Sequence, residues 1–451
     1  MRGKLSQSQR NQPGRAGDIP ANPADYFTPD RFRHEYGRLV AWLSRRLTRD
    51  QSLSTDEAIQ SAQDIAQDTL LAAMRSWPKD GLPSNPSGWL TQVAKNRAID
   101  QLRRNGFTVR LDDEHVEHAS SSDPNQDASF AGEIGDDLLR MLFACCHPSL
   151  SVDAQLALTL HVVAGFSAQE IAKSFLADER TIAQRMVRAK KQLRESSANF
   201  EFPVGVALNP RIETVLRALY LLFNEGYLSA QGATLTRPEL CREAQRLLEL
   251  ILSHEYIMRD AQVIPGAEAL MALFQFQLAR FPARINHSGE LVLLEEQDRS
   301  RYDQQLIASG FVWLDRARRG QVITNYHLEA LIISCHVRAA DLQSTDWHTI
   351  LESYDALMTL APSPVVQINR VVAYSFRHGP RAGLVQLEGL ENESSMQRFH
   401  LFHAVKGDLL RRLHRNEESR ACFARALGLT DNVREQEFLK HRIETLVTHI
   451  L

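Results

Sequence analysis

Helical periodicity runs through almost the whole chain, and segments that alternate in the manner of a β-strand are nearly absent. The first periodic segment places apolar residues at the i, i+4 and i+7 spacing of one buried helix face: Phe32, Tyr36, Leu39, Val40 and Leu43. Clusters of proline and glycine separate such segments from one another. Because one kind of element dominates a chain of 451 residues, we predict an all-α protein of several domains.

Turn formers and polar stretches divide the chain into five segments. A polar leader covers 1–29, and its basic residues are not followed by the apolar core of a secretory signal. One helical module follows at 30–104, and a second lies at 136–198 beyond an acidic linker at 105–135. A helical extension fills 205–451. Breaks in it are predicted near its turn formers: Gly226, Gly232, Pro265, Pro282, Gly310, Pro362, Pro364, Gly379 and Gly428.

The net charge of -3 conceals an uneven distribution of charged residues. Residues 31–110 are rich in arginine, the stretch from Leu111 to Asp137 is acidic and holds no lysine or arginine, and residues 180–194 are basic again. This order favours two modules that face a polyanion and are joined by a tether, with solvated helix faces as the alternative. No apolar run is long enough to predict a membrane-spanning helix. The five scattered cysteines are typical of the reducing cytoplasm.

A helix-turn-helix is the sharpest local pattern, and it lies between Ala168 and Glu195. Ser167 and Glu170 form a capping box at its start, and the turn is predicted at 176–178. In the second helix, Ile182, Met186, Val187 and Leu193 are predicted to face inward. The outward face carries residues that read base edges or hold phosphates: Arg180, Thr181, Gln184, Arg185, Arg188 and Lys191. This pattern predicts a helix that enters the major groove of DNA, against the alternative of a plain amphipathic hairpin.

Two further motifs precede the helix-turn-helix. The segment DIAQDTLLAAMRSW runs from Asp64 to Trp77, and SGWLTQVAKNRAIDQLRR runs from Ser87 to Arg104. With these motifs in this order, the chain resembles the extracytoplasmic-function (ECF) sigma factors of bacterial RNA polymerase. In that family, region two binds the polymerase clamp and melts the minus-ten element, and region four reads the minus-thirty-five element.

The resemblance implies a role for three sets of residues and a set of partners. Core polymerase, through its beta and beta-prime subunits, is expected to bind Asp64, Gln67 and Asp68. The minus-ten element and its melted single strand are expected to bind Asn96, Arg97, Asp100, Arg103 and Arg104. The double-stranded minus-thirty-five element is expected to bind the outward face of the helix-turn-helix described above. The implied fold is a region-two helical bundle, a region-four helix-turn-helix domain and a helical extension.

The extension resembles the C-terminal domain of one ECF subgroup, which is similar to tetratricopeptide repeats. The segments LYLLFNEGYLS, from Leu219 to Ser229, and LEEQDRSRYD, from Leu294 to Asp303, look like signatures of that subgroup. A late helix pair is predicted from small and apolar residues at repeat spacing: Ala404, Gly407, Leu410, Leu413, Ala421, Phe423, Ala426 and Leu427. The extension is expected to modulate activity, either directly or through a regulatory protein.

No motif predicts catalysis, a cofactor or a bound metal. The run Cys145-Cys146-His147 offers part of a zinc site, but no second Cys/His pair lies at finger spacing. Asp298 and Asp303 alternate with arginines, which favours ion pairs over the paired carboxylates of an active site. The alternative function is a helix-turn-helix scaffold or regulator that acts through its helical repeats without polymerase.

Overall fold

The computed structural model of the chain describes residues 26–49, 53–104, 137–175, 177–196, 200, 202–227, 238–284, 292, 294, 296–391, 394–430 and 433–448. Every regular element among these residues is a helix, which confirms the predicted all-α class. The predicted linker at 105–135 and nearly all of the predicted leader at 1–29 lie outside the described residues.

The described residues fall into two compact units. The first takes in those up to Cys145, with Ser149–Ala168 and Ala183–Glu201. The second takes in Cys146–Pro148, Gln169–Ile182 and the chain from Phe202 onward. The helices before the extension are α1 (Pro29–Arg49), α2 (Thr55–Asp80), α3 (Pro86–Arg104), α4 (137–145), α5 (Val152–Leu158), α6 (Ala168–Phe175) and α7 (Glu179–Glu195).

Helices α1, α2 and α3 pack around a shared apolar core. Its fully buried side chains come from all three helices and include Leu39, Leu43, Ile59, Leu70 and Leu90. Removing each such side chain from water stabilises the fold by about 1.5–3 kcal/mol. At one end of this core, the Trp77 ring stacks on Phe27 at 5.1 Å and meets Trp89 edge-on at 5.4 Å. The aromatic cluster ties α2 to the start of α3.

The end of α2 differs from the sequence-based expectation. Pro78 predicts that the helix stops at Trp77, whereas α2 runs on to Asp80 with Pro78 inside its last turn. The helix ends where Gly81 takes a φ of 89° and donates its backbone N–H to the carbonyl of Trp77 (3.0 Å). Glycine adopts this left-handed conformation at little cost, so Gly81 terminates the helix and Pro78 does not.

Helix α1 also packs closely against the chain that follows α5. A five-residue π-helical turn, Thr159–Val163, continues α5. A Cβ atom on Gly37 would lie 1.9 Å from the carbonyl oxygen of Val163, so only glycine permits this approach of the two backbones. Gly165 follows with a φ of 71°. Within the first unit, α1 is therefore in direct contact with the π-helical turn that continues α5.

The described part of the extension is a succession of helices. They are α8 (Leu208–Tyr227), α9 (Pro238–Ser253), α10 (Glu255–Asp260), α11 (Ile264–Ala279), α12 (Phe281–Arg284), α13 (Gln304–Ala317), α14 (Asn325–Arg338), α15 (Trp347–Leu360), α16 (Pro364–His378), α17 (Pro380–Glu388), α18 (Ser394–Gln397), α19 (His400–Arg412), α20 (Asn416–Leu427) and α21 (Val433–Thr448). Sequential helices pack on one another, as in a repeat array.

The predicted late helix pair is present as α19 and α20. Gly407 lies against Phe423, since a Cβ there would come within 2.9 Å of the phenylalanine ring. The Ser419 hydroxyl donates a hydrogen bond to the Gly407 carbonyl across the pair (2.7 Å). Helix α21 adds Leu439 and Leu446 to the same core. The small residues therefore let two helices approach closely, which confirms the predicted helix pair.

The predicted break at Gly310 is wrong. Gly310 lies inside α13, where a Cβ atom would come within 2.6 Å of the Phe276 ring on α11. This glycine allows the two helices to approach each other and does not interrupt α13. Prolines and glycines at other predicted breaks do mark helix ends: Pro265 and Pro364 begin α11 and α16, and Gly379 separates α16 from α17 with a φ of 92°.

Candidate nucleic-acid interface

The residues predicted to bind core polymerase form one exposed face of α2. Asp64, Gln67 and Asp68 are all exposed, whereas Ile65 and Leu70 between and beyond them are buried. The three lie at i, i+3 and i+4, which places them on the same side of the helix. Helix α2 therefore exposes a polar, acidic face, while its opposite, apolar face is packed in the core.

Helix α2 begins at a capping box formed by Ser54 and Glu57. The carboxylate of Glu57 accepts hydrogen bonds from the backbone N–H of Ser54 (3.0 Å) and from its hydroxyl (2.6 Å). These two bonds, led by the one from the hydroxyl, lower the pKa of Glu57 below its ordinary value. The cap fixes where α2 starts, and so fixes which residues face outward along it.

The residues predicted to bind the minus-ten element lie along α3. Four of the five side chains are exposed: Asn96, Asp100, Arg103 and Arg104. Arg97 is partly exposed and pairs with Asp68 of α2 at 3.5 Å. Exposed ion pairs of this kind are weak, at about 0–1 kcal/mol. Arg97 thus places α3 next to the acidic face of α2.

The start of α3 is anchored to α1 through a buried carboxylate. The Ser87 hydroxyl donates a hydrogen bond to Glu35 (2.7 Å), and Arg38 donates to the Ser87 carbonyl (3.1 Å). Arg38 also pairs with Glu35 at 2.7 Å. Both partners of this pair are largely buried, so removing one of them would leave an uncompensated charge. The orientation of α3 is therefore set by α1.

Helices α6 and α7 occupy the positions predicted for the helix-turn-helix. The carbonyl of Asp178 accepts the first bond of α7, from the N–H of Ile182 (3.1 Å), which is consistent with a cap at Asp178. Five of the six residues predicted to face DNA are exposed: Arg180, Thr181, Gln184, Arg188 and Lys191. The sixth, Arg185, is partly buried and pairs with Asp153 at 3.3 Å.

The prediction that Val187 faces inward is wrong. Val187 is 67% exposed, and Ala189 occupies the buried position instead, at 2% exposure. At 3.6 residues per turn, the buried stripe of α7 consists of Ile182, Met186, Ala189 and Leu193. Val187 lies off this stripe, one turn after Gln184 and one turn before Lys191.

Two basic residues of α7 that the sequence did not single out contact α2. The ammonium of Lys190 donates hydrogen bonds to the side-chain oxygens of Gln63 (2.7 Å) and Gln60 (3.2 Å). Arg194 pairs with Asp56 at 3.1 Å. Burial lowers the pKa of Lys190 below its ordinary value. The second half of α7 therefore packs against the first half of α2, within the first unit.

The side-chain amide of Gln63, which accepts a hydrogen bond from Lys190 of α7, also contacts α1. Its nitrogen donates a hydrogen bond to the hydroxyl of Tyr36 on α1 (3.1 Å). Burial raises the pKa of Tyr36 to about 12. Sequence periodicity offers no signal for such a chain of side chains, because its members come from three helices far apart in the sequence.

A second cluster within the first unit joins α1 to α4. The carboxylate of Asp137 is fully buried and pairs with Arg45, while Arg46 approaches it at 3.5 Å. A buried carboxylate between two arginines is costly to leave unpaired. Helix α4 is therefore attached to α1 by charge.

The second signature of the extension has a structural role. Asp303 accepts hydrogen bonds from the backbone N–H groups of Gln305 (2.9 Å) and Leu306 (3.1 Å), and so caps α13. Arg299 donates to the carbonyls of His336 (3.0 Å) and Ala339 (2.9 Å) at the end of α14. Arg299 and Asp303 are therefore held by hydrogen bonds to backbone groups, whereas their alternation predicted ion pairs.

The junction signature contributes to a polar cluster in the extension. The Tyr220 hydroxyl on α8 donates a hydrogen bond to Glu329 on α14 (2.9 Å), and Asn325 donates to the other oxygen of that carboxylate (3.2 Å). Burial raises the pKa of Glu329 above its ordinary value. The cluster joins α8 to α14.

Within the described ranges, no group of three or more histidine, cysteine, aspartate or glutamate residues is arranged to hold a metal ion. Cys145 and Cys146 are buried, and His147 follows them in the turn after α4. No helix among the described residues is long and apolar enough to cross a membrane.

Three known families match parts of the chain. Sigma-70 region 2 matches residues 32–108, and Sigma-70, region 4 matches residues 140–193. A family of unknown function, DUF6596, matches residues 211–318. The two sigma regions therefore coincide with the segments that carry the exposed faces of α2, α3 and α7.

Two curated proteins are similar to the chain over different lengths. An uncharacterized protein of Rhizobium meliloti is 36% identical over 389 residues, which is 85% of this chain and 90% of that protein. The ECF RNA polymerase sigma factor SigE of Mycolicibacterium smegmatis is 28% identical over 137 residues, or 30% of this chain and 51% of that protein. No solved structure matches the chain. With both sigma regions in order and a DUF6596 segment behind them, the chain belongs to the ECF sigma factors, in the subgroup with a C-terminal helical extension.

Proposed function

We propose that this sigma factor binds core RNA polymerase and directs it to specific promoters. One observation supports this most strongly: an acidic face on α2, a basic end on α3 and a polar, basic face on α7 are all exposed in segments that match the two sigma regions. Each face suits a different partner, namely a protein surface, a melted strand and a duplex.

The face of α2 formed by Asp64, Gln67 and Asp68 binds the polymerase, at its beta and beta-prime subunits. Its side chains are exposed, while the opposite face of the helix is locked into the core of α1–α3. A rigid helix that presents carboxylates loses little conformational entropy when it meets a basic surface.

Helix α3 recognises the minus-ten element and stabilises its melted strand. Unstacking a base costs a few kcal/mol, which contacts with the extruded base and the backbone offset. Arg103 and Arg104 are placed for phosphates, and Asn96 and Asp100 can hydrogen-bond a base edge. Arg97 stands beside Asp68, so the strand-binding and polymerase-binding faces adjoin.

Helix α7 reads the minus-thirty-five element as a duplex. Gln184 and Arg188 have the side chains that recognise adenine and guanine in the major groove, and Arg180, Thr181 and Lys191 reach phosphates or neighbouring bases. Arg185 makes the smallest contribution, because Asp153 already holds its guanidinium.

The extension modulates this activity, acting on the sigma modules directly or through a regulatory protein. Tetratricopeptide-like arrays offer extended surfaces for protein partners. A sigma factor works where core polymerase works, so we expect the chain in the cytoplasm.

A core-binding assay tests the proposal. Tagged full-length protein is mixed with core polymerase, and the retained polymerase is measured for the wild type and for the double variant Asp64→Arg with Asp68→Arg. We expect the double variant to lose the complex. The control reverses two exposed acids elsewhere, Asp80→Arg with Asp315→Arg, and is expected to keep it.

The result decides between the two candidate functions. If wild type and the Asp64/Asp68 variant retain equal amounts of polymerase, the proposed core-binding face is refuted. If neither retains any while both bind duplex DNA, the chain is a DNA-binding scaffold or regulator that acts without polymerase.

A further inference from the structure

Val187 is the most exposed large apolar side chain among the described residues of the first unit. It is 67% exposed, compared with 47% for Met74 and 39% for Leu71. Valine is also a poor choice for a solvent-facing helix position, since its β-branch restricts its rotamers there. The helix gains nothing from this residue that alanine would not supply.

The location of Val187 sets it apart from an ordinary exposed valine. It stands one turn from Gln184 and from Lys191, and next to Arg188, all of which are exposed. The contacts of α7 with α2 use Lys190 and Arg194 and leave Val187 open. Val187 therefore belongs to the face that we propose to read DNA.

The major groove offers one apolar feature that such a side chain can recognise. Thymine carries a methyl group at C5, whereas adenine, guanine and cytosine present only hydrogen-bonding groups there. The branched end of valine packs on a methyl group and excludes water from it. Gln184 and Arg188 on the same face would recognise neighbouring purines.

We propose that Val187 is a specificity-determining residue that contacts the C5 methyl group of one thymine in the upstream promoter element. This inference rests on the proposed recognition of the upstream element by α7. It specifies one base of that element, a thymine, that α7 would recognise. No hydrogen bond is involved, so the discrimination comes from burial of apolar surface alone.

The test removes the methyl group from the DNA and the side chain from the protein in turn. The probe is a promoter fragment mapped from transcript starts that depend on this protein, bound by full-length protein with core polymerase. Each thymine of the upstream element is replaced singly by deoxyuridine, which keeps every hydrogen-bonding group and loses only the methyl.

At one thymine position we expect the deoxyuridine duplex to bind the wild type about fourfold more weakly, as for the loss of one buried methyl group. In Val187→Ala, the same replacement should have no further effect, since the two changes remove the two halves of one contact. Val312→Ala, at a 54%-exposed valine of α13, serves as the control and should keep the full fourfold difference.

Other outcomes overturn the inference. One is a deoxyuridine effect of equal size in wild type and Val187→Ala at every position, and another is an element without a thymine. A third is that Val187→Ala loses core binding while its deoxyuridine response is unchanged, which would assign Val187 to a protein contact. Absence of promoter binding by the wild type would instead refute the proposed function itself.

Discussion

The two central arginines of α7 differ in burial and in ion pairing within the free protein. Arg188 is exposed, whereas Arg185 is partly buried and pairs with Asp153 at 3.3 Å. A side chain that is paired in the free protein must give up that partner before it can contact DNA. Their positions three residues apart therefore do not make them equivalent readers of a promoter.

Replacing Arg188 with alanine should weaken binding of the promoter duplex by about 5- to 150-fold, the range for loss of one arginine–base contact. Arg185→Ala should have a smaller effect, because Arg185 is partly buried and must leave Asp153 before it can contact DNA. Fluorescence anisotropy of a labelled duplex with the polymerase complex measures both. An effect of Arg185→Ala as large as that of Arg188→Ala would contradict this assignment.

His336 is a buried histidine that resists protonation. It is 6% exposed, and burial, together with Arg280 and Arg299, lowers its pKa to about 3. In an unfolded chain the same group has a pKa near 6.5. A group whose pKa is lower when folded gives stability that is complete above the unfolded pKa and is lost as the pH falls towards the folded one.

Below about pH 6.5, the chain should therefore lose stability, by about 2 kcal/mol at pH 5 from this residue alone. His336→Phe keeps a ring against Trp347, whose centroid lies 5.4 Å away, and should reduce the loss. Chemical unfolding at pH 7 and pH 5 measures the difference. His348→Phe, at an exposed position, is the control. Equal pH dependence in wild type and His336→Phe would refute the assignment.

At the scale of single residues, the sequence predicted side-chain chemistry better than side-chain direction. It identified the exposed polar residues of α2 and α3, because polar residues on an amphipathic helix face water. It placed Val187 inside because valine is apolar, although the 3.6-residue period assigns that position to Ala189. It could not find Lys190 with Gln63, since that contact depends on how two distant helices pack.

Helix α2 carries two neighbouring surfaces along its length, one that contacts α7 and one that is exposed. Its first half holds α7 through Asp56, Gln60 and Gln63, and its middle presents the acidic face at Asp64 and Asp68. Helix α3 and residues 183–195 of α7, which we propose to bind the two promoter elements, are thereby held in one compact unit.

This packing is incompatible with the proposed binding of both promoter elements at once. Elements at minus ten and minus thirty-five are about 25 base pairs apart, or roughly 85 Å along DNA. Helix α7 is only about 26 Å long at 1.5 Å per residue, and it contacts α2 directly. Binding to both elements at once therefore requires α7 to leave α2.

A cross-link between the two helices should block initiation. In the wild type, Lys190 Nζ lies 3.2 Å from Gln60 Oε1, so Gln60→Cys with Lys190→Cys places two thiols on facing helices, where a bis-maleimide can join them. We expect the linked protein to lose promoter-dependent transcription. The single-cysteine variants and the wild type, treated alike, should remain active. Full activity of the linked protein would mean that the two helices need not separate.

At the scale of helices, the sequence predicted which segments are helical but not always where they end. Both errors concern residues that usually break helices. Pro78 is tolerated in the last turn of α2, where Gly81 supplies the actual end. Gly310 serves close packing against Phe276. In each case the residue that decides whether the helix ends lies outside the local sequence pattern. It is Gly81 for α2 and Phe276, on another helix, for α13.

At the scale of the whole molecule, more than half of the chain is extension, and its two signatures are structural. Arg299 closes the end of α14, and Tyr220 joins α8 to Glu329. The sequence predicted the helical array from its periodicity and small residues. It could not predict these roles, because the partners are more than 30 residues away along the chain.

Removing the extension tests whether it modulates the sigma modules. A chain that ends at Ala207 keeps α1–α7 and loses α8–α21. We expect its transcript yield with core polymerase to differ from that of the full-length protein by several-fold. A rise would mean that the extension inhibits, and a fall that it is required. Equal yields at equal core binding would contradict a modulating role.

Reconstituted transcription tests the central claim most directly. Purified full-length protein is mixed with core polymerase of its own organism and fragments of that genome, and run-off transcripts are mapped. We predict transcripts with fixed start sites that appear only with the protein and vanish in the variant Asp64→Arg with Asp68→Arg. The absence of any promoter-specific transcript on every genomic fragment would contradict the assignment of this chain as a promoter-directing sigma factor.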